Sequence, residues 1–231
     1  CHSGEWPGRL TFESVTFPSG ASVAVAEGDE SSLCMQCHQG RSSTVTVNKM
    51  VADLPVDEVS DALGFSNVHY FAAGASRYGT EAKGGYEFDG KEYAGYFPHV
   101  AGYDTCTSCH DAHELEVKTA ECFTCHAGYE DTHDIRMSEV DFDGDGDVEE
   151  GIAAEVETMA AMLYEAIKAY SAEIGFPVIY DSHSYPYFFA DSDGDGEVSP
   201  GEGIYPNKYA TWTPSLLEAA YNYQYALKDP G

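Results

Sequence analysis

The chain has 231 residues, with 40 acidic side chains against 11 basic ones and a formal net charge of -29. That surplus sets aside nucleic acid and anionic membrane surfaces as partners and suits cationic protein patches, bound divalent cations or a saline habitat. No apolar run reaches the roughly 18 residues of a membrane span, and 13% aromatics, with 17 tyrosines, are too many for a disordered acidic tail.

In chain order the first feature is Cys1-His2, which has no signal peptide before it, so the ends are expected to be processed or truncated. Cys34-Met-Gln-Cys37 follows, and the same C-x-x-C spacing returns at Cys106/Cys109 and Cys122/Cys125. A four-cysteine zinc ribbon, redox dithiols or a disulfide framework would each use such pairs. The next residue separates these readings, because His38, His110 and His126 follow the second cysteine each time. C-x-x-C-H is the attachment motif of c-type haem: two thiols add across the vinyl groups as thioethers, and the adjacent histidine is held beneath the iron as proximal ligand. Cys1-His2 then reads as the end of a fourth motif. A lipidated Cys1 is the alternative, and it leaves His2 unexplained.

Between and beyond these motifs the elements are sparse at first. The stretch 47–63 predicts a short helix broken by Pro55, and Asp89-Gly90 between YEF and KEY predicts a hairpin with a type I′ turn. Ile152, Val156, Met159, Leu163, Ile167, Tyr170 and Ile174 recur at helical spacing, predicting a helix of about six turns that stops at Gly175 and Pro177. Thr213-Pro214 opens another, with Leu216, Ala220, Tyr223 and Leu227 as its apolar face. Both stripes are read as core packing. The fold class expected is mainly α with much irregular coil and few short strands, haem-cored, with long helices in the C-terminal part. The expected division is a haem-binding region over 1–138 and a helical region over 139–231 packed on it.

Five histidines lie outside the motifs: His69, His99, His113, His133 and His183. They suffice to give three or four irons a second, distal ligand, and bis-histidine iron is low-spin and passes electrons with little rearrangement of its ligands. His69, His99 and His183 have aromatic and apolar neighbours that suit haem walls, whereas His133, among acids, is a reserve. If the motif at Cys106 opens a helix, His113 lies one turn beyond His110 and cannot reach the same iron, so it is expected to ligate a neighbouring one.

Two acidic loops complete the pattern. Asp191, Asp193, Asp195, Glu197, Ser199 and Glu202 occupy positions 1, 3, 5, 7, 9 and 12 of an EF-hand-type calcium loop, with Gly196 at the sharp turn. Asp141, Asp143, Asp145 and Asp147 repeat the start, but position 12 is Ile152, so Glu150 or Glu155 must substitute. A solvated acidic turn capping the following helix is the other reading of this loop. One or two calcium ions are expected.

The segments CMQCHQGRSS, NVHYFAAGA, YGTEAKGGYEF, CTSCHDAH, VIYDSHSYPYFF and AAYNYQYALKDPG resemble multihaem c-type cytochromes of anaerobically respiring bacteria and archaea. The resemblance implies about four haem c groups, electron transfer in the periplasm or outside the cell, and redox partner proteins or other copies of the chain, in some relatives as a filament. A multihaem reductase of a small nitrogen or sulfur oxyanion is the enzymatic alternative, and it would leave one iron open.

Overall fold

The computed structural model describes residues 8, 10–27, 29–69 and 71–228. Cys1 and His2, and with them the fourth motif, lie outside the described residues. The architecture is mainly helical with short strands and long irregular stretches, as the composition predicts.

Helices α1 (Ser31–Met35), α2 (Thr44–Val51) and α3 (Ala73–Tyr78) pack with the hairpin β1–β2 (Ser14–Thr16, Ser22–Ala24). α2 begins earlier than the pattern predicts. The Ser43 side chain accepts the Thr46 N–H at 3.2 Å and so caps the helix, and Asp53 at φ 62 ends it before Pro55 is reached. Asp89-Gly90 does turn the chain, with Lys91 N–H donating to Phe88 O at 3.2 Å, but no strand pair forms. Only Gly90 has positive φ, whereas a type I′ turn needs it at both central residues.

α4 (Cys106–Cys109) and α5 (Thr119–Cys122) are single turns separated by the two-residue strands β3 (His110–Asp111) and β4 (Glu116–Val117). α6 (Ile152–Glu173) and α7 (Pro214–Lys228) are the long helices, with the hairpin β5–β6 (Val178–Tyr180, Phe188–Ala190) between them. Gly175 at φ 83 terminates α6, as predicted. The buried face of α6 is rotated from the predicted stripe: Glu155, Ala160, Ile167 and Ser171 are buried and Met159 is exposed, because the first turn packs around a charged pair. In α7 the Thr213 hydroxyl caps Leu216 N–H at 3.1 Å.

Two apolar clusters hold the chain. One gathers Val15, Met35, Val47, Val68, Ala75 and Tyr78. The other gathers Ile167, Val178, Phe188, Trp212, Leu216 and Leu217, each such side chain contributing about 1.5–3 kcal/mol on burial. α7 serves both: Tyr221 belongs to the first cluster and donates to Gly84 O at 2.7 Å, while Gln224 Oε1 accepts Val68 N–H at 3.0 Å. Hence α7 is buried on two faces, more than its Leu216-Ala220-Tyr223 stripe predicts, while Leu227 is exposed. From residue 87 to residue 135, a stretch holding two of the motifs, no residue is buried. Protein side chains supply no core there.

Candidate functional site

The three complete motifs adopt one local conformation. In each, the histidine N–H donates to the carbonyl of the first cysteine: His38 to Cys34 O at 2.9 Å, His126 to Cys122 O at 2.9 Å, and His110 to Cys106 O. A closed helical turn puts residues three apart on one side, so both thiols face the same way with the histidine beside them, as two-thioether attachment requires. All six described cysteines are free thiols. Among the described residues, the groups of three or more whose ligand atoms lie within 4.8 Å of one another are all carboxylate clusters, so no motif cysteine or histidine enters a zinc-like set. The residues therefore fit haem c, and neither a zinc ribbon nor a disulfide framework fits them.

His38 is held by α3. Its Nδ1 lies 3.0 Å from Phe71 O, which fixes the ring with Nε2 available for a metal. Gly74 N–H donates to His38 O at 2.8 Å, and a Cβ at Gly74 would stand 2.8 Å from that oxygen and 2.9 Å from Met35 Cγ. Only glycine permits so close an approach, so Gly74 positions the first motif.

The first motif meets the second. Cys106 N–H donates to Ser31 Oγ at 2.9 Å, and the Thr107 hydroxyl bonds Glu30. The neighbouring Cys106 thiol and burial push the Cys34 thiol up, while Cys34, Ser31 and Arg77 bring Cys106 down to about 5. As thioethers neither sulfur titrates. Lys118 ties the second motif to the third through Nζ to Thr107 O at 2.8 Å and N–H to Cys109 O at 2.8 Å.

The non-motif histidines separate. The His99 ring lies 6.2 Å from that of His126, centroid to centroid. Two imidazoles on one iron, with bonds of about 2 Å each and the half-widths of the rings added, stand roughly 6–6.5 Å apart. His113 does not lie on a helix: His110 leaves the turn to pair with Val117, and Asp111 Oδ1 captures the N–H groups of His113 and Glu114 at 2.9 and 3.0 Å. The Asx turn competes with helix here, and His113 sits in the β3–β4 connection. His183 is 91% exposed and His133 76% exposed, each with Nδ1 on a neighbouring aspartate, Asp181 at 3.3 Å and Asp131 at 2.8 Å. His69 is half-buried, and burial, with the charges of Arg41 and Lys228, lowers its pKa. Four of these histidines share a local pattern: His69, His113, His133 and His183 each stand two residues after Asn67, Asp111, Asp131 or Asp181, whose side chain accepts the histidine N–H at 2.8, 2.9, 3.0 and 2.9 Å.

The acidic loops share their opening turn. Asp191 Oδ1 and Oδ2 accept Gly194 and Gly196 N–H at 2.7 and 3.0 Å, and Asp141 does the same for Gly144 and Gly146 at 2.6 and 3.0 Å. Gly146 and Gly196 have φ 94 and 77, the turn geometry that glycine allows. In the second loop Glu202 accepts Ser192 and Ser199 N–H at 2.6 and 3.0 Å, and ligand atoms of Asp191, Asp193 and Glu202 converge. The strand β6, not a helix, leads into this loop. In the first loop Glu155 is the counterpart of Glu202, accepting Phe142 and Asp143 N–H at 2.8 Å each and joining Asp141 and Asp143, while Glu150 groups with Asp143 and Asp145. Glu155 also binds Arg136 at 2.5 Å, and the pair is closed off from solvent. Burial works against the Glu155 carboxylate, but Arg136 and the two amides outweigh it and hold its pKa below 4.5.

The comparisons with known proteins agree with these motifs. The chain is similar to multihaem c-type cytochromes, a likeness that implies haem c. It is 28% identical over 98% of its length to the C-type polyheme cytochrome OmcC of Geobacter sulfurreducens, and 28% identical over 94% to OmcB of the same organism. It spans about 30% of the length of these curated relatives. No family model matches the chain, and no solved structure matches it.

Proposed function

We propose that the chain is an electron-transfer unit with about four bis-histidine haems, working in the periplasm or outside the cell with redox proteins or other copies of itself. Haem is held at Cys34/Cys37, Cys106/Cys109 and Cys122/Cys125, with Cys1 belonging to a fourth attachment. His2, His38, His110 and His126 are the proximal ligands, and His69, His99, His113 and His183 supply the distal ones, with His133 in reserve. The observation that carries this reading is the 6.2 Å approach of His99 to His126, a proximal and a non-motif ring at the separation of two ligands on one iron. Such a group supplies a one-electron couple; the chain fixes its ligands and keeps neighbouring motifs adjacent. A haem count by mass, with EPR of the oxidised protein, tests the proposal. Four covalent haems, or three if the first attachment is lost, all low-spin, are expected. A resident high-spin iron would favour the reductase reading instead.

The acidic loops are proposed to bind calcium, the second through Asp191, Asp193, Asp195, Glu197, Ser199 and Glu202. The first would use Asp141, Asp143, Asp145, Asp147 and either Glu150 or Glu155. Chelation is expected to speed hydrogen exchange at Gly194 and Gly196 more than in α2. Equal change in both would remove the calcium role.

A further inference from the structure

Arg77, near the end of α3, places its guanidinium at the meeting of the first two motifs. Nη1 is 4.0 Å from Cys106 Sγ, and Nη2 donates to the Tyr96 hydroxyl at 3.0 Å and to Asp104 O. The group lies 5.3 Å from the Tyr96 ring centroid and 5.8 Å from that of Tyr78, and these two rings stack at 5.0 Å. All these partners are neutral. Its direct contacts are a sulfur, a hydroxyl, a backbone carbonyl and two aromatic rings. In a chain with 40 acids and 11 bases, a half-buried arginine whose direct contacts are neutral, beside a haem-attachment sulfur, is a placed charge.

We infer that Arg77 raises the reduction potential of the haem anchored at Cys106 and Cys109. The equilibrium concerned is the gain of one electron by ferric iron from a neighbouring haem or an electrode, with no bond or proton exchanged. A fixed positive charge at short range in a partly desolvated site favours the state with one positive charge fewer, and arginine stays protonated throughout. Cys106 N–H also donates to Ser31 Oγ, three residues before the first motif, so the shifted site lies where two haem-attachment segments meet.

The inference rests on haem attachment at the second motif, and the test separates the two. Holoprotein carrying Arg77→Gln is titrated in an optically transparent electrode cell, with the haem content of the Cys106–His110 peptide checked by mass. One component is expected to shift to more negative potential by at least a tenfold change in its reduction equilibrium, about 59 mV for one electron, with all irons low-spin. Arg77→Lys, which keeps the charge, is expected to retain most of the wild-type value. Superimposable titrations, or an equal shift in both variants, overturn the inference. Absence of haem from the peptide overturns the attachment reading instead. Should Arg77→Gln fail to assemble, Tyr96→Phe loosens the same guanidinium without removing it. A smaller negative shift of one component is then expected, and none overturns the inference.

Discussion

Replacing His99 by alanine is expected to turn one haem high-spin, the one anchored at Cys122 and Cys125, while every haem stays covalently attached. His99 lies in an exposed segment, Phe97 to Val100, that contributes nothing to either apolar cluster. Its loss therefore costs little packing. What it removes is the ring facing His126 at 6.2 Å, and an iron with one strong axial ligand changes spin state and opens a coordination position. EPR and absorption spectra of the oxidised protein read the change directly, and imidazole in solution should restore the low-spin signal. A His99→Ala protein whose irons remain uniformly low-spin would show that His126 takes another partner. His133→Ala serves as comparison, since its exposed ring is bonded to Asp131 and a change there would bring the reserve histidine into the ligand set.

The second large effect is expected at Arg136. Its guanidinium is 8% exposed, donates to the carbonyls of Ser138, Val140 and Glu150 at 2.7, 2.5 and 3.0 Å, and meets a fully buried Glu155 at 2.5 Å. Removing one partner of a buried pair leaves the other charge uncompensated, at a cost of about 3–5 kcal/mol. At roughly 2–4 °C per kcal/mol for a domain of this size, Arg136→Ala should lower the melting temperature by about 10 °C. Glu155 then has no cation except one from solution, so added calcium should restore more stability to the variant than to the parent. The pH dependence has a definite sign: because the Glu155 pKa lies below 4.5 in the folded protein, its contribution is complete above that value and is lost as pH falls through the folded pKa. Arg136→Ala should flatten that acid limb. A variant that melts with the parent, with the same response to calcium and acid, would contradict the role assigned to the pair.

Where the chemistry is local, the residues are legible in order. Two thiols and a histidine must fall within one helical turn to hold a haem, so Cys34–His38, Cys106–His110 and Cys122–His126 stand out by spacing, and each forms that turn. The loop 191–202 is local in the same way, with oxygen donors on alternate residues and glycine at the turn. Where a partner comes from elsewhere in the chain, the pattern fails. Position 12 of the first acidic loop is Ile152, and which of Glu150 and Glu155 meets the loop amides is decided by α6, which starts at once and aims Glu155 back at them. Asp111 interrupts the helix that would carry His113, and the Asx-x-His pattern shared by four histidines is defined by hydrogen bonds that residue spacing alone does not reveal.

By itself, then, the sequence determined the haem-attachment spacing, the acidic loops and the two long helices, since covalent spacing, ligand alternation and helical periodicity are all written within a few turns of chain. The tertiary structure alone decided that His99 faces His126, that Gly74 lets α3 rest on the first motif, and that Arg77 stands beside Cys106. These are contacts between segments whose separation along the chain carries no trace of their distance in space.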